Sequence, residues 1–202
     1  MIVRVSDVAD IQGGLVLSRK EARHPDEDLF RYKRLTLRAL DEYGVIHDDE
    51  LEEFFAREEL DPALFTKNKD VLIRLFYPLC PVLVDESKEK LLMPSQLAAL
   101  RIKNELVLPG YLSLYLAQKE IQDRIQKIES GSMQRAVKIS TIMNLPIVLP
   151  DMETQRKVIQ IDTLRRNKEQ MYKDLIEQER ILTQSVIGRI IGGTKNDDQE
   201  RY

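Results

Sequence analysis

The sequence has little from which covalent or metal-based chemistry is built. It holds one cysteine, Cys80, and two histidines, His24 and His47, in 202 residues. A single thiol excludes an internal disulfide framework and a cysteine-based zinc site, and the two histidines lack metal-ligand spacing. Cys80 lies between Pro78 and Pro81 in an apolar stretch and reads as a small buried hydrophobe rather than a nucleophile. No G-x-S-x-G elbow is present, no GxGxxG or Walker spacing follows Gly13-Gly14, and the acidic run lacks an alternate-position calcium pattern. No apolar run approaches the roughly 20 residues that cross a bilayer, and the N-terminus does not resemble a cleavable leader. These absences lead us to expect a soluble, cytoplasmic, non-catalytic chain with no membrane span, metal or cofactor.

What is present is charge, and it is segregated. Lysine and arginine number 31 against 34 acidic residues, a net charge of −3. Arg19, Lys20, Arg23, Arg31, Lys33, Arg34 and Arg38 make residues 18–38 basic, whereas residues 41–61 carry ten carboxylates and only Arg57 against them. One face is thereby expected to bind phosphate and another to repel it. The competing reading of each run is an ordinary solvated helix surface.

Along the chain, the pattern predicts a mixed α/β domain over residues 1–150. Val3 and Val5 alternate into a strand or short helical turn, with a tight turn at Gly13-Gly14 and a second strand after it. In "DDELEEFFAREEL", Leu51, Phe54, Phe55 and Leu60 fit the buried side of a short acidic helix capped by Asp48 or Asp49. "DVLIRLFYPLCPVLVDES" reads as edge strands or a bulged pair, limited by its prolines, and "QLAALRIK" as a further strand. "YLSLYLAQKEIQDRIQKI" suits one amphipathic helix, with Tyr111 and Tyr115 better explained by core packing than by base stacking. Gly131 and Ser132 end that helix, "AVKIS" alternates as a strand, "TIMNL" turns, and "PIVLP" is a proline-flanked strand.

From Met152 to about Ile191 no proline intervenes, and the first glycine is Gly188. A single long helix over residues 151–191 follows, on the order of 55–60 Å at 1.5 Å per residue. Ile161, Leu164, Met171, Leu175, Leu182 and Val186 recur at intervals of three, four and seven, interrupted by Lys168 and Gln178. Such a stripe needs a partner helix. Residues 192–202, "GGTKNDDQERY", read as a disordered tail.

Five stretches together carry a resemblance. "VRVSDVADIQGGLVLSRKE", "LFTKNKDVLIRL", "LLMPSQLAALRI", "GYLSLYLAQKEIQDRI" and "GSMQRAVKISTIMNLPIVLPDMETQRKVIQI" resemble, in order, one target-recognition domain and one spacer helix of the DNA specificity subunit of type I restriction-modification enzymes. The most specific part is the L-P-I-x-L-P-x-x-x-x-Q-x-x-x-I shape from Leu145 to Ile159. The resemblance implies an α+β recognition domain that reads double-stranded DNA and a coiled-coil-forming helix that spaces recognition domains. It also implies a methyltransferase (modification) subunit as partner and, in complexes that carry one, a restriction subunit. S-adenosylmethionine, ATP and magnesium belong to those other subunits, not to the reading chain. A full specificity subunit has two recognition domains and two antiparallel spacer helices; this sequence has one of each. The missing half is expected from a second copy, giving a homodimer with an interrupted, palindromic site.

DNA binding needs cations and donors for phosphate, and amides or guanidinium forks for base edges. The candidates are Ser18, Arg19, Lys20 and Arg23 after the glycine pair, Ser95 and Gln96 before a strand, and Ser132, Gln134, Arg135 and Lys138 in the loop before "IST". The alternative function is a scaffold or regulatory protein of a host-defence complex that does not read DNA and binds partners through its long helix.

Overall fold

The structure, a computed structural model, describes residues 1–22, 30–41, 43–129 and 136–197, without the side chains of 192–197. Its contacts divide the chain into two units, Met1–Lys157 and Val158–Tyr202.

The first unit is built on the order β1 (Ile2–Arg4), α1 (Val5–Val8), β2 (Ala9–Gly13), β3 (Phe30–Arg34), β4 (Glu52–Ala56), β5 (Val71–Arg74), β6 (Val82–Leu83), β7 (Leu97–Ile102), α2 (Pro109–Ala117), α3 (Lys119–Glu129), α4 (Ile139–Met143) and β8 (Pro146–Val148). The central sheet runs β2-β7-β5-β6 with every neighbour antiparallel. β7 is buried along Leu97–Leu100 because it lies inside the sheet. β1 pairs with β8 in the register Val3↔Ile147, which brings the start of the chain beside the proline-flanked strand. Tyr111 and Tyr115 of α2 donate to the Val148 and Pro146 carbonyls at 2.7 and 3.0 Å, so these two rings anchor β8.

Three expectations are corrected. The acidic stretch is not a helix: Asp48–Glu50 form one 3-10 turn and Glu52–Ala56 form β4, paired with β3. Phe54 is 2 % exposed and Phe55 41 %, the alternation of a strand. The spacing of Leu51, Phe54 and Phe55 fits a helix, but pairing with the basic strand brings Glu53 to Arg31 and Glu52 to Arg34 as cross-strand ion pairs. The single amphipathic helix is two, broken at Gln118, whose backbone is extended. Leu112, Leu116, Ile121 and Ile125 are all buried, and the step of five between Leu116 and Ile121 would turn Ile121 to the far side of a continuous helix. Finally, "ISTIM" is the short helix α4, not a strand and turn. Glu129 at the end of α3 accepts the Thr141 hydroxyl and the Lys138 N–H, tying α3 to the start of α4.

The described part of the second unit belongs to α5 (Met152–Asp197), a helix of 46 residues, about 69 Å long. It extends past Ile191, where the sequence places its end; two successive glycines, Gly192 and Gly193, lower helix propensity without removing a backbone donor as proline would. Ion pairs along one surface include Arg165 with Asp162 and Glu169, and Arg180 with Glu177. The Lys168 ammonium lies 5.6 Å from the Tyr172 ring centroid. Ile161, Leu164, Met171, Leu175, Leu182 and Val186 are 46–70 % exposed.

Candidate nucleic-acid interface

The candidate interface is organised by close packing of backbones. At the end of β2, Gly14 donates to the Leu97 carbonyl at 3.0 Å, and Leu15 and Ser95 exchange bonds with this segment: Leu15 N–H to Met93 O at 2.8 Å, Ser95 N–H to Leu15 O at 2.7 Å. A Cβ on Gly14 would stand 2.2 Å from the Pro94 carbonyl oxygen, so only glycine permits the approach. The role expected of a tight turn is thus one of contact. Beyond it, the Leu75 N–H donates to Gln96 O at 2.8 Å, and the Val137 N–H donates to Leu75 O at 2.9 Å. Segments 14–15, 93–97, 75 and 137 therefore lie side by side, about 15 Å across at ordinary strand spacing.

This arrangement gathers three groups that are far apart in sequence. Ser18 and Arg19 lie on a 3-10 turn (Leu17–Arg19), both exposed. Ser95 is half-buried and Gln96 exposed on the adjacent segment. Lys138 is exposed at the start of α4, next to Val137. Arg23, Ser132, Gln134 and Arg135 lie outside the described residues.

The electrostatics differ from a simple basic face. Lys20 pairs with Glu58, whose carboxyl is held below its ordinary range chiefly by the lysine hydrogen bond. Arg57 donates to the Arg19 carbonyl at 2.6 Å, and Ala22 donates to Phe55 O at 2.9 Å, laying residues 20–22 along β4. With Arg31 and Arg34 also paired to glutamates, the acidic segment neutralises three cations of the basic run. The Lys138 charge stands near Glu129, whose carboxyl is lowered first by the Thr141 hydroxyl. The Arg19 side chain makes no ion pair among the described residues.

A hollow of about 450 Å³ opens beside this row, lined by Leu17, Leu35, Leu37 and Pro94 below and by Arg34, Arg38, Glu50, Glu52 and Gln96 around it. Arg38 and Glu50 were not among the residues expected to form the site. The only sequence signal was that Arg38 belongs to the basic run; Glu50 joins it through folding of the 3-10 turn onto β3. Cys80 is buried, as its apolar surroundings predict. Among the described residues no group of three or more histidine, cysteine, aspartate or glutamate side chains is arranged to hold a metal ion, and no helix is long and apolar enough to cross a membrane.

Neither a family model nor a curated protein matches the sequence. Solved structures do match. A chain from a structure of the complex assembly and conformational transition of the type I R-M system is 16 % identical, with a TM-score of 0.65 over 94 % of this chain and 49 % of that one. The HsdS subunit from Thermoanaerobacter tengcongensis is 17 % identical, with a TM-score of 0.60 over 86 % of this chain and 46 % of its own. The type I restriction-modification system S subunit from M. genitalium is 14 % identical, with a TM-score of 0.54 over 90 % and 43 %. This chain has the S-subunit fold, mixed α/β with a long C-terminal helix, and spans about half the length of those chains.

Proposed function

We propose that the chain is a non-catalytic DNA specificity subunit in half-length form, cytoplasmic, with residues 1–150 as reading head and residues 151–191 as spacer and dimerisation helix. The observation that carries this reading is the structural match over 86 % of this chain to 46 % of the HsdS subunit from Thermoanaerobacter tengcongensis. Two copies would rebuild the two-domain whole through antiparallel helices, using the stripe from Ile161 to Val186. The homodimer would direct a methyltransferase, and a nuclease where one is present, to a bipartite site of double-stranded DNA. Ser18, Arg19, Lys20, Ser95, Gln96 and Lys138 are proposed to face the duplex, with Arg23, Ser132, Gln134 and Arg135 as further contacts.

The test is duplex binding against salt concentration, with and without the methyltransferase, coupled to mapping of methylated sites in cells. A steep negative slope is expected. Inserting four residues near Glu169 lengthens each helix by about 6 Å and should lengthen the gap between half-sites while leaving their bases unchanged. Identical methylation from wild type and insertion would sink the ruler.

A second reading, a partner-binding scaffold that does not read DNA, draws support from the neutralisation of Lys20, Arg31 and Arg34 by glutamates. In that case the insertion alters complex stability and yields no new methylated sequence.

A further inference from the structure

The hollow beside the 3-10 turn contains four charges, and the fold pairs only two of them. Arg34 of β3 holds Glu52 of β4. Arg38 and Glu50 line the same hollow, yet neither forms an ion pair with the other or with any described residue. Arg38 is exposed, and Glu50 is half-buried. The local backbone is fixed: the Thr36 hydroxyl donates to Glu50 O at 2.9 Å, which ties the segment bearing Arg38 to the turn bearing Glu50. A free cation and a free anion are thus presented together over an apolar floor, with the Gln96 amide at the same rim.

This composition selects among nucleic-acid groups. A phosphate would meet Arg38 favourably but also two carboxylates, Glu50 and Glu52, in a hollow whose formal charges cancel. A base-pair edge is a better complement because it carries donors and acceptors side by side. In the major groove guanine offers O6 and N7 as acceptors for a guanidinium, and cytosine offers its N4 amino group to a carboxylate. An A·T pair is a poorer match: with the adenine amino group at the carboxylate, thymine O4 gives the guanidinium a single acceptor where guanine gives the fork two.

We propose that Arg38 and Glu50 read one G·C base pair in each half-site, Arg38 donating to guanine and Glu50 accepting from the cytosine amino group. This assignment rests on the DNA-reading function proposed above. Arg34 is kept out of the contact by Glu52.

The test is selection of bound duplexes from a randomised library by the chain in complex with its methyltransferase, for wild type, Arg38→Ala and Glu50→Gln. Wild type should select a G·C pair at a position that both variants relax, with the remaining bases of the half-site unchanged. Affinity of Arg38→Ala for the wild-type sequence should fall about 10- to 100-fold, the range of a good bidentate base contact, with the salt slope unaltered. If Arg38→Ala instead lowers the salt slope by about one unit and leaves the selected sequence intact, Arg38 is a phosphate contact and the assignment is overturned. Selected sequences identical across the three proteins also overturn it while leaving the DNA-reading function standing. A wild-type complex that selects no sequence overturns both.

Discussion

Gln155 and Leu108, 47 residues apart in the chain, are joined by a 2.9 Å hydrogen bond in which the Gln155 side-chain oxygen accepts the Leu108 N–H. The same amide donates to the Leu106 and Pro150 carbonyls at 3.0 and 3.1 Å, and the residue is only 1 % exposed. One side chain thus closes three backbone groups, in the loop before α2 and at the start of α5. Gln155→Leu removes the partner of all three; a fully buried orphan costs about 1–3 kcal/mol, and because these bonds are part-buried and water can replace some of them, the loss should be about 2–4 kcal/mol. Chemical denaturation measures it. Gln155→Glu keeps the acceptor but opposes a carboxylate to two carbonyls, and should also destabilise, less so at acidic pH.

Gly14→Ala tests the close approach at the interface. Its Cβ would meet the Pro94 and Met93 carbonyl oxygens at 2.2 and 2.5 Å, both backbone. The segments must part, at a cost of about 1–3 kcal/mol. DNA affinity should fall even where thermal melting shows the protein folded, because Ser18, Arg19, Ser95 and Gln96 are positioned by these segments. Unchanged melting and binding would show that the segments separate freely.

The cross-strand glutamates predict a gain. Glu52→Gln together with Glu53→Gln releases Arg34 and Arg31 from their ion pairs. Exposed pairs contribute about 0–1 kcal/mol, so stability should change little. Non-specific duplex affinity should rise and the salt slope steepen. An unchanged slope would place β3 and β4 away from the DNA.

Self-association through α5 predicts that Leu175→Asp with Leu182→Asp yields a monomer by light scattering. Both leucines are more than half exposed in the single chain, so the substitutions leave the fold of Met1–Lys157 intact while placing carboxylates in a seam that would have to desolvate them. A wild-type protein that stays monomeric at high concentration would refute the homodimer.

Asp70 predicts a pH dependence. Burial raises its carboxyl above the ordinary range, outweighing the hydrogen bonds from Arg101 and the Lys67 N–H, which lower it. The folded state then holds this proton more tightly than the unfolded chain. The residue's contribution to stability is greatest at low pH and falls as pH rises from about 4, the unfolded value, to the raised folded one. The stability difference between wild type and Asp70→Asn, followed by denaturant titration from acid to neutral pH, should decline through that window and then level off. A difference that grows with pH would mean that pairing with Arg101 outweighs desolvation.

Local pattern was enough for some elements. Leu97–Ile102 is an apolar run without breakers, and the proline-flanked stretch at Pro146–Val148 can only be a short strand at a sheet margin. The long helix was legible because its heptad-like stripe runs without proline across many turns. Ser18, Arg19, Ser95, Gln96 and Lys138 are candidates by residue type beside turn signals, and the fold places them on or beside the adjoining segments 14–15, 93–97 and 137. Arg38 and Glu50 were not singled out, since nothing in their neighbours marks them as facing one hollow.

The sequence by itself determined a mixed α/β domain followed by a long helix, because hydrophobic period and proline placement act within a few residues. Only the tertiary structure decided that Glu52–Ala56 is a strand, that glutamates of the acidic stretch pair with Lys20, Arg31 and Arg34, and that Arg19 and Arg38 form no ion pair among the described residues. Leu51, Phe54 and Phe55 have helix spacing, and the strand is decided by a partner strand about twenty residues away, where burial of Phe54 and the pairs Arg31–Glu53 and Arg34–Glu52 are won together. Charge on a chain is local, but its neutralisation is a matter of which segments meet.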